Sequence, residues 1–112
     1  MAVPAKQNLT ITRGDTEVVV LTMTSNGSTP INITGRTYRA QIRTTKDAGP
    51  IDASFSCSVT NGSAGEVTCT LTPGQTSGLS VGVHYWDLEE TNNGAVSTIV
   101  AGTVNVLADV TR

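Results

Sequence analysis

Ser54-Phe55-Ser56-Cys57-Ser58-Val59-Thr60, then Asn61-Gly62-Ser63-Ala64-Gly65, then Glu66-Val67-Thr68-Cys69-Thr70-Leu71-Thr72: this stretch decides the fold. Apolar residues alternate with polar ones on both sides of an Asn- and Gly-bearing break. A period of two belongs to a half-buried strand, not to a helix. A hairpin centred on Ser63 sets Val59 against Val67, Cys57 against Cys69 and Phe55 against Leu71. All of these side chains then lie on one face, so turn and pattern agree on one register.

The same reading extends in both directions. Thr72 to Leu79 holds Pro73, Gly74 and Gly78 and cannot be a strand; it reads as a loop or a single helical turn with Leu79 tucked inward. Gly82 opens a strand to about Glu90, with His84, Trp86 and Leu88 opposite Val83, Tyr85, Asp87 and Glu89. Asn93-Gly94 is a strong hairpin signal. The strand from Ala95 to Val106 places Ile99 and Ala101 beside Leu88 and Trp86. Val104 and Val106 follow in the other phase, and a bulge at Gly102 reconciles the halves. Upstream, Tyr38, Ala40 and Ile42 alternate with Arg39, Gln41 and Arg43. In Thr16 to Thr24, Val19, Leu21 and Met23 oppose Val18 and Val20, which predicts a strand covered in part on both faces. Asn8 to Thr12 is a short strand, Asn26-Gly27 marks a loop, Ile31 to Gly35 is a short edge segment, and Lys46 to Pro50 is loop. Residues 1–7 form an extended arm and 8–112 a single domain. The expectation is an all-β, immunoglobulin-like antiparallel β-sandwich of about seven strands, with a small closed barrel as the alternative.

Composition narrows the function. The chain has 112 residues, 38% apolar and 14% charged, with a net charge of −2. Disordered chains pair low hydrophobicity with high net charge, and this one does not. An acidic surface repels a phosphate backbone, so nucleic acid is not an expected partner. No run approaches the ~18 apolar residues of a membrane helix. Met1 to Lys6 holds no apolar secretory core, so the chain is expected to be made and kept in a cytoplasm, with reduced thiols.

Few side chains invite chemistry. His84, the single histidine, reads as a partly buried corner residue, since general base work needs a positioned partner and a cleft. Cys57 and Cys69 face each other and read as small core hydrophobes; a cross-strand disulfide is geometrically possible, and a metal site lacks further ligands. Arg13-Gly14-Asp15 spells an integrin-binding tripeptide but is ordinary turn chemistry. Asn8, Asn26, Asn32 and Asn61 open glycosylation sequons that a Thr-, Ser- and Asn-rich chain produces by chance. Asp87, Glu89 and Glu90 read as a solvated face or as partners of Arg39 and Arg43, since calcium sites gather more ligands from a loop. Phe55 and Trp86 look committed to the core, which leaves Tyr85 as the aromatic available to a sugar. No catalytic, cofactor-binding or metal-binding residue is assigned, and no cofactor is expected.

Several runs carry a resemblance: Ile11-Thr12-Arg13-Gly14-Asp15-Thr16, Pro30-Ile31-Asn32-Ile33-Thr34-Gly35, Gly65-Glu66-Val67, Leu71-Thr72-Pro73, Gly82-Val83-His84-Tyr85-Trp86-Asp87-Leu88, Gly94-Ala95-Val96 and Gly102-Thr103-Val104-Asn105-Val106 with Asp109-Val110-Thr111. In this order they resemble the immunoglobulin-like β-sandwich domain of tailed-phage structural proteins, at the N-terminus of baseplate upper proteins and in small minor-tail proteins. The likeness runs from about residue 8 to 111. His84 stands where the family pattern commonly has an aromatic. Baseplate upper proteins carry receptor-binding or adaptor parts after this domain, whereas this sequence ends at Arg112, so a domain working through its surfaces is expected. The resemblance implies a non-enzymatic virion protein, assembled in the host cytoplasm, whose partners are other phage structural proteins and copies of itself. It implies a tail or baseplate adaptor or minor tail protein, with capsid decoration as the runner-up and a carbohydrate- or receptor-binding module as a different class.

Overall fold

The structure is a computed structural model that describes residues 5–24, 29–45 and 50–110. Asn26 and the loop at 46–49 lie outside the described residues. The strands are β1 (Ala5–Lys6), β2 (Leu9–Thr12), β3 (Glu17–Thr22), β4 (Thr37–Arg43), β5 (Ile51–Ser54), β6 (Ser56–Asn61), β7 (Glu66–Leu71), β8 (Gly82–Asn92) and β9 (Ala95–Leu107), with one short helix, α1 (Pro73–Ser77). They form a sandwich. Sheet A runs β1-β9-β8-β4-β5 with β2 also on β9, and sheet B runs β3-β7-β6. The all-β sandwich is as expected, with nine strands among the described residues instead of about seven.

The hairpin register is the expected one: Cys57 pairs with Cys69 and Val59 with Val67. Phe55 is different. Its N–H donates to the Ala40 carbonyl on β4 (2.9 Å), at the point where the chain leaves sheet A as β5 and enters sheet B as β6. One continuous alternation in the sequence is therefore two strands in two sheets, because both need the same inward phase.

The core lies between the sheets. Sheet A contributes Leu9, Ile11, Tyr38, Ala40, Ile42, Ala53, Trp86, Leu88, Val100, Val104 and Val106; sheet B contributes Val19, Val67, Cys69 and Leu71. At ~25 cal/mol per Å² of apolar surface removed from water, this layer is the main stabilising contribution. Phe55 and Trp86 meet with ring centroids 5.8 Å apart.

Three sequence expectations need correction. The β8–β9 register shift falls at Leu88/Glu89, with Leu88 opposite Val100 and Glu89 opposite Thr98, and Ile99 is the extra residue. Val100, Gly102, Val104 and Val106 thus share one phase, and Gly102 is the small member of the inward row rather than the bulge. A β-carbon at Gly102 would run into the Gln7 carbonyl. That carbonyl accepts a hydrogen bond from Trp86 Nε1 (2.7 Å). The missing side chain lets the N-terminal strand pass close over β9. Second, β3 is not covered twice within the chain: Val18 and Val20 are 54% and 56% exposed. Ile31 to Gly35 forms no strand. Its residues hold on by single bonds, Ile31 N–H to the Met23 carbonyl and Ile33 N–H to the Gly62 carbonyl.

The N-terminal stretch joins the sheet from Ala5 onward, and both β1 and β2 run parallel to β9. This departs from an otherwise antiparallel sandwich.

Candidate interaction surfaces and the buried His84 cluster

The strand registers assign every outward side chain. On sheet A the outer face carries Thr37, Arg39, Gln41 and Arg43 from β4, opposite Thr91, Glu89, Asp87 and Tyr85 from β8. Beyond them lie Thr98, Ala101 and Thr103 of β9. A groove of about 410 Å³ crosses this face, lined among others by Lys6, Gln41, Arg43, Tyr85, Asp87 and Thr103. Asp87 has its pKa raised, first by burial and then by Glu89, with Arg43 opposing. Arg39 stands opposite Glu89 in the register, and Arg43 Nη2 donates to Gln41 Oε1 (3.1 Å). Glu90 points the other way, where Tyr38 Oη donates to it (2.6 Å) and Arg36 pairs with it (3.3 Å).

Sheet B differs in kind. Its outer face presents Val18, Val20 and Thr22 on β3, Thr70, Thr68 and Glu66 on β7, and Ser56 and Ser58 on β6. Glu66 is the one charge among them, and Thr60 Oγ1 donates to it (2.7 Å). β3 is one edge of this sheet and β6 the other. β3 has no Pro, Lys or bulge, the features natural edges use to discourage pairing.

His84 is fully buried, with 2% of its surface exposed. Nδ1 lies 2.8 Å from Asp52 Oδ2, and Nε2 lies 2.7 Å from the Ser80 carbonyl and 3.3 Å from Ser80 Oγ. Asp52 also accepts from Thr44 Oγ1 (2.7 Å). Nothing in the sequence pointed to Asp52 or Ser80 as partners: Asp52 sits on β5, which merges into the β6 pattern, and Ser80 lies in a loop. Asp, His and Ser together have the outline of a nucleophilic relay. The hydrogen bonding argues otherwise. Nε2 lies nearer the Ser80 carbonyl than the Ser80 hydroxyl, so the ring is held by backbone rather than aimed at the hydroxyl. The cluster ties β5, β8 and the loop before β8 together.

The other singled-out residues are structural. Gly14 N–H donates to Thr76 Oγ1 (3.0 Å), Thr76 Oγ1 donates to the Asp15 carbonyl (2.8 Å), and Arg13 Nη2 donates to the Ser77 carbonyl (2.8 Å). The Arg13-Gly14-Asp15 turn is thus docked on α1. Asn8 Oδ1 accepts from Thr103 N–H, Asn32 Oδ1 from Thr34 N–H and Asn61 Oδ1 from Ala64 N–H. These three asparagines shape backbone. Among the described residues no three His, Cys, Asp or Glu side chains gather as metal ligands.

No protein-family model matches the sequence, and no curated protein is similar to it. Among solved structures, the chain is similar to the N-terminal domain of phage TP901-1 ORF48, at 13% identity, over 96% of this chain and 91% of that one, with a TM-score of 0.57. At this identity the likeness is one of fold, and it agrees with the phage sandwich domain that the sequence resembles.

Proposed function

We propose that the chain is a non-enzymatic structural protein of a bacteriophage particle, acting in the tail or baseplate as an adaptor or minor tail protein. The observation that carries this reading is the fold shared along nearly the whole chain with a domain of a phage protein. Three further features support it. In the Asp52–His84–Ser80 cluster the imidazole is buried, and its Nε2 lies nearer the Ser80 carbonyl (2.7 Å) than the Ser80 hydroxyl (3.3 Å), which suits a structural tie better than a nucleophilic relay. The net charge of −2 disfavours nucleic acid as a partner. The nearly uncharged outer face of sheet B, with its valines at an unprotected edge, suits a protein neighbour, since charge is depleted at interface cores. The partner on that face is a neighbouring structural subunit of the virion, and copies of the chain occupy equivalent positions.

Gold-labelled antibody on negatively stained virions tests the address. Label at the tail tip supports the adaptor reading. Label over the head replaces it with capsid decoration, and bare particles remove both. A second reading, a carbohydrate site, is favoured by partly exposed Tyr85 in the sheet A groove. It requires glycan-array binding that Tyr85→Ala abolishes.

A further inference from the structure

Cys57 and Cys69 are free thiols whose sulfurs lie 3.2 Å apart. They oppose each other across β6 and β7. Opposed antiparallel residues have Cα atoms ~4.5–5.5 Å apart, inside the ~4.4–6.8 Å that a disulfide spans. The backbone spacing of the pair is therefore compatible with a disulfide.

The two differ in access. Cys69 is completely buried on the central strand of sheet B, whereas Cys57 is partly exposed on the edge strand β6. We propose that the pair is a disulfide-exchange site for small-molecule disulfides such as oxidised glutathione, with Cys57 the attacking and Cys69 the resolving thiol. The Cys57 thiolate attacks one sulfur of the disulfide, forms a mixed disulfide and expels the first thiolate. The Cys69 sulfur, giving up its proton, then attacks Cys57 Sγ and expels the second. Two protein thiols become one disulfide, the glutathione disulfide is reduced, and the two protons end on the two glutathione thiols. The ionisation of the pair supports this order. Once Cys57 is a thiolate, the Cys69 S–H donates to it, which lowers Cys57; burial opposes this and a backbone hydrogen bond from Ala40 adds to it. The same bond, burial and the Cys57 charge push Cys69 up. The product staples the edge strand β6 to β7, a step open to the chain once it leaves a reducing compartment.

Intact-mass measurement of the folded protein with oxidised glutathione tests this. The wild type is expected to lose two hydrogens without accumulating a glutathione adduct. Cys69→Ser, which lacks the resolving thiol, is expected to keep one adduct, on Cys57. Folded Cys57→Ser is expected to remain unmodified. A folded wild type that stays reduced while its urea-unfolded form reacts overturns the proposal, and so does a persistent adduct on the wild type. If Cys69→Ser does not fold, wild type against Cys57→Ser decides alone. The outcome is independent of the assembly reading, because the chemistry needs no partner.

Discussion

Gly102 shows how a single missing side chain organises a region. The Gln7 carbonyl occupies the space of its β-carbon and holds the indole N–H of Trp86. Gly102→Ala must push the N-terminal strand away and break that bond. Overpacking of this kind costs about 2 kcal/mol, which we expect as a lowered urea midpoint; an unchanged midpoint contradicts the close approach. Asp87 carries a second residue-scale prediction. Its pKa is raised in the fold by burial and by Glu89, so the native state holds that proton more tightly than the unfolded chain does. Its contribution to stability is fully present below the ordinary carboxylate value of ~4 and is lost as pH rises through the raised native value. Asp87→Asn is expected to be the more stable protein at neutral pH, with the gap closing on acidification. Urea titrations across a pH series measure this, and a gap that ignores pH speaks against burial of the carboxylate. The sequence flagged Gly102 as a break but not its cause: a one-dimensional pattern does not show which distant backbone fills the space.

At the scale of elements, α1 is short enough to depend on its ends. Thr72 Oγ1 accepts from Gln75 N–H and Gln75 Oε1 accepts from Thr72 N–H, a capping box, with Pro73 at the first turn. Thr72→Ala should cost about 1 kcal/mol. Thr76 is buried and joins α1 to the turn after β2. Thr76→Val leaves the Gly14 N–H and the Asp15 carbonyl without that partner, and about 1–3 kcal/mol is expected. Thermal unfolding of the two variants ranks them, and a larger loss for Thr72→Ala runs against this account. The helical turn and inward Leu79 were legible from Pro73 and Gly78, residues whose backbone preferences act locally. The split of β5 from β6 was not, because Ala53, Phe55, Cys57 and Val59 keep one alternation while the strand changes sheets. The Asp52–His84–Ser80 cluster was hidden for the same reason: its members meet only once β5 and β8 are set on either side of β4.

For the whole molecule, charge is distributed unequally between the faces. Sheet A turns Arg39, Arg43, Asp87 and Glu89 outward, while sheet B turns out valine, threonine and serine with Glu66 alone. The sequence showed this asymmetry as apolar residues on both sides of β3, of which Val18 and Val20 are exposed. Val18→Lys together with Val20→Lys is expected to leave the folded state intact, since both side chains are exposed, and to block incorporation into particles. Incorporation at the wild-type level would place the docking face elsewhere. The central claim, that this sandwich is a structural part of a virion, is tested most directly by quantitative mass spectrometry of gradient-purified particles. The account expects peptides of this chain in the particle fraction at a fixed multiple-copy ratio to the other structural proteins, retained after a high-salt wash. A chain abundant in the lysate and missing from the purified particles would contradict it.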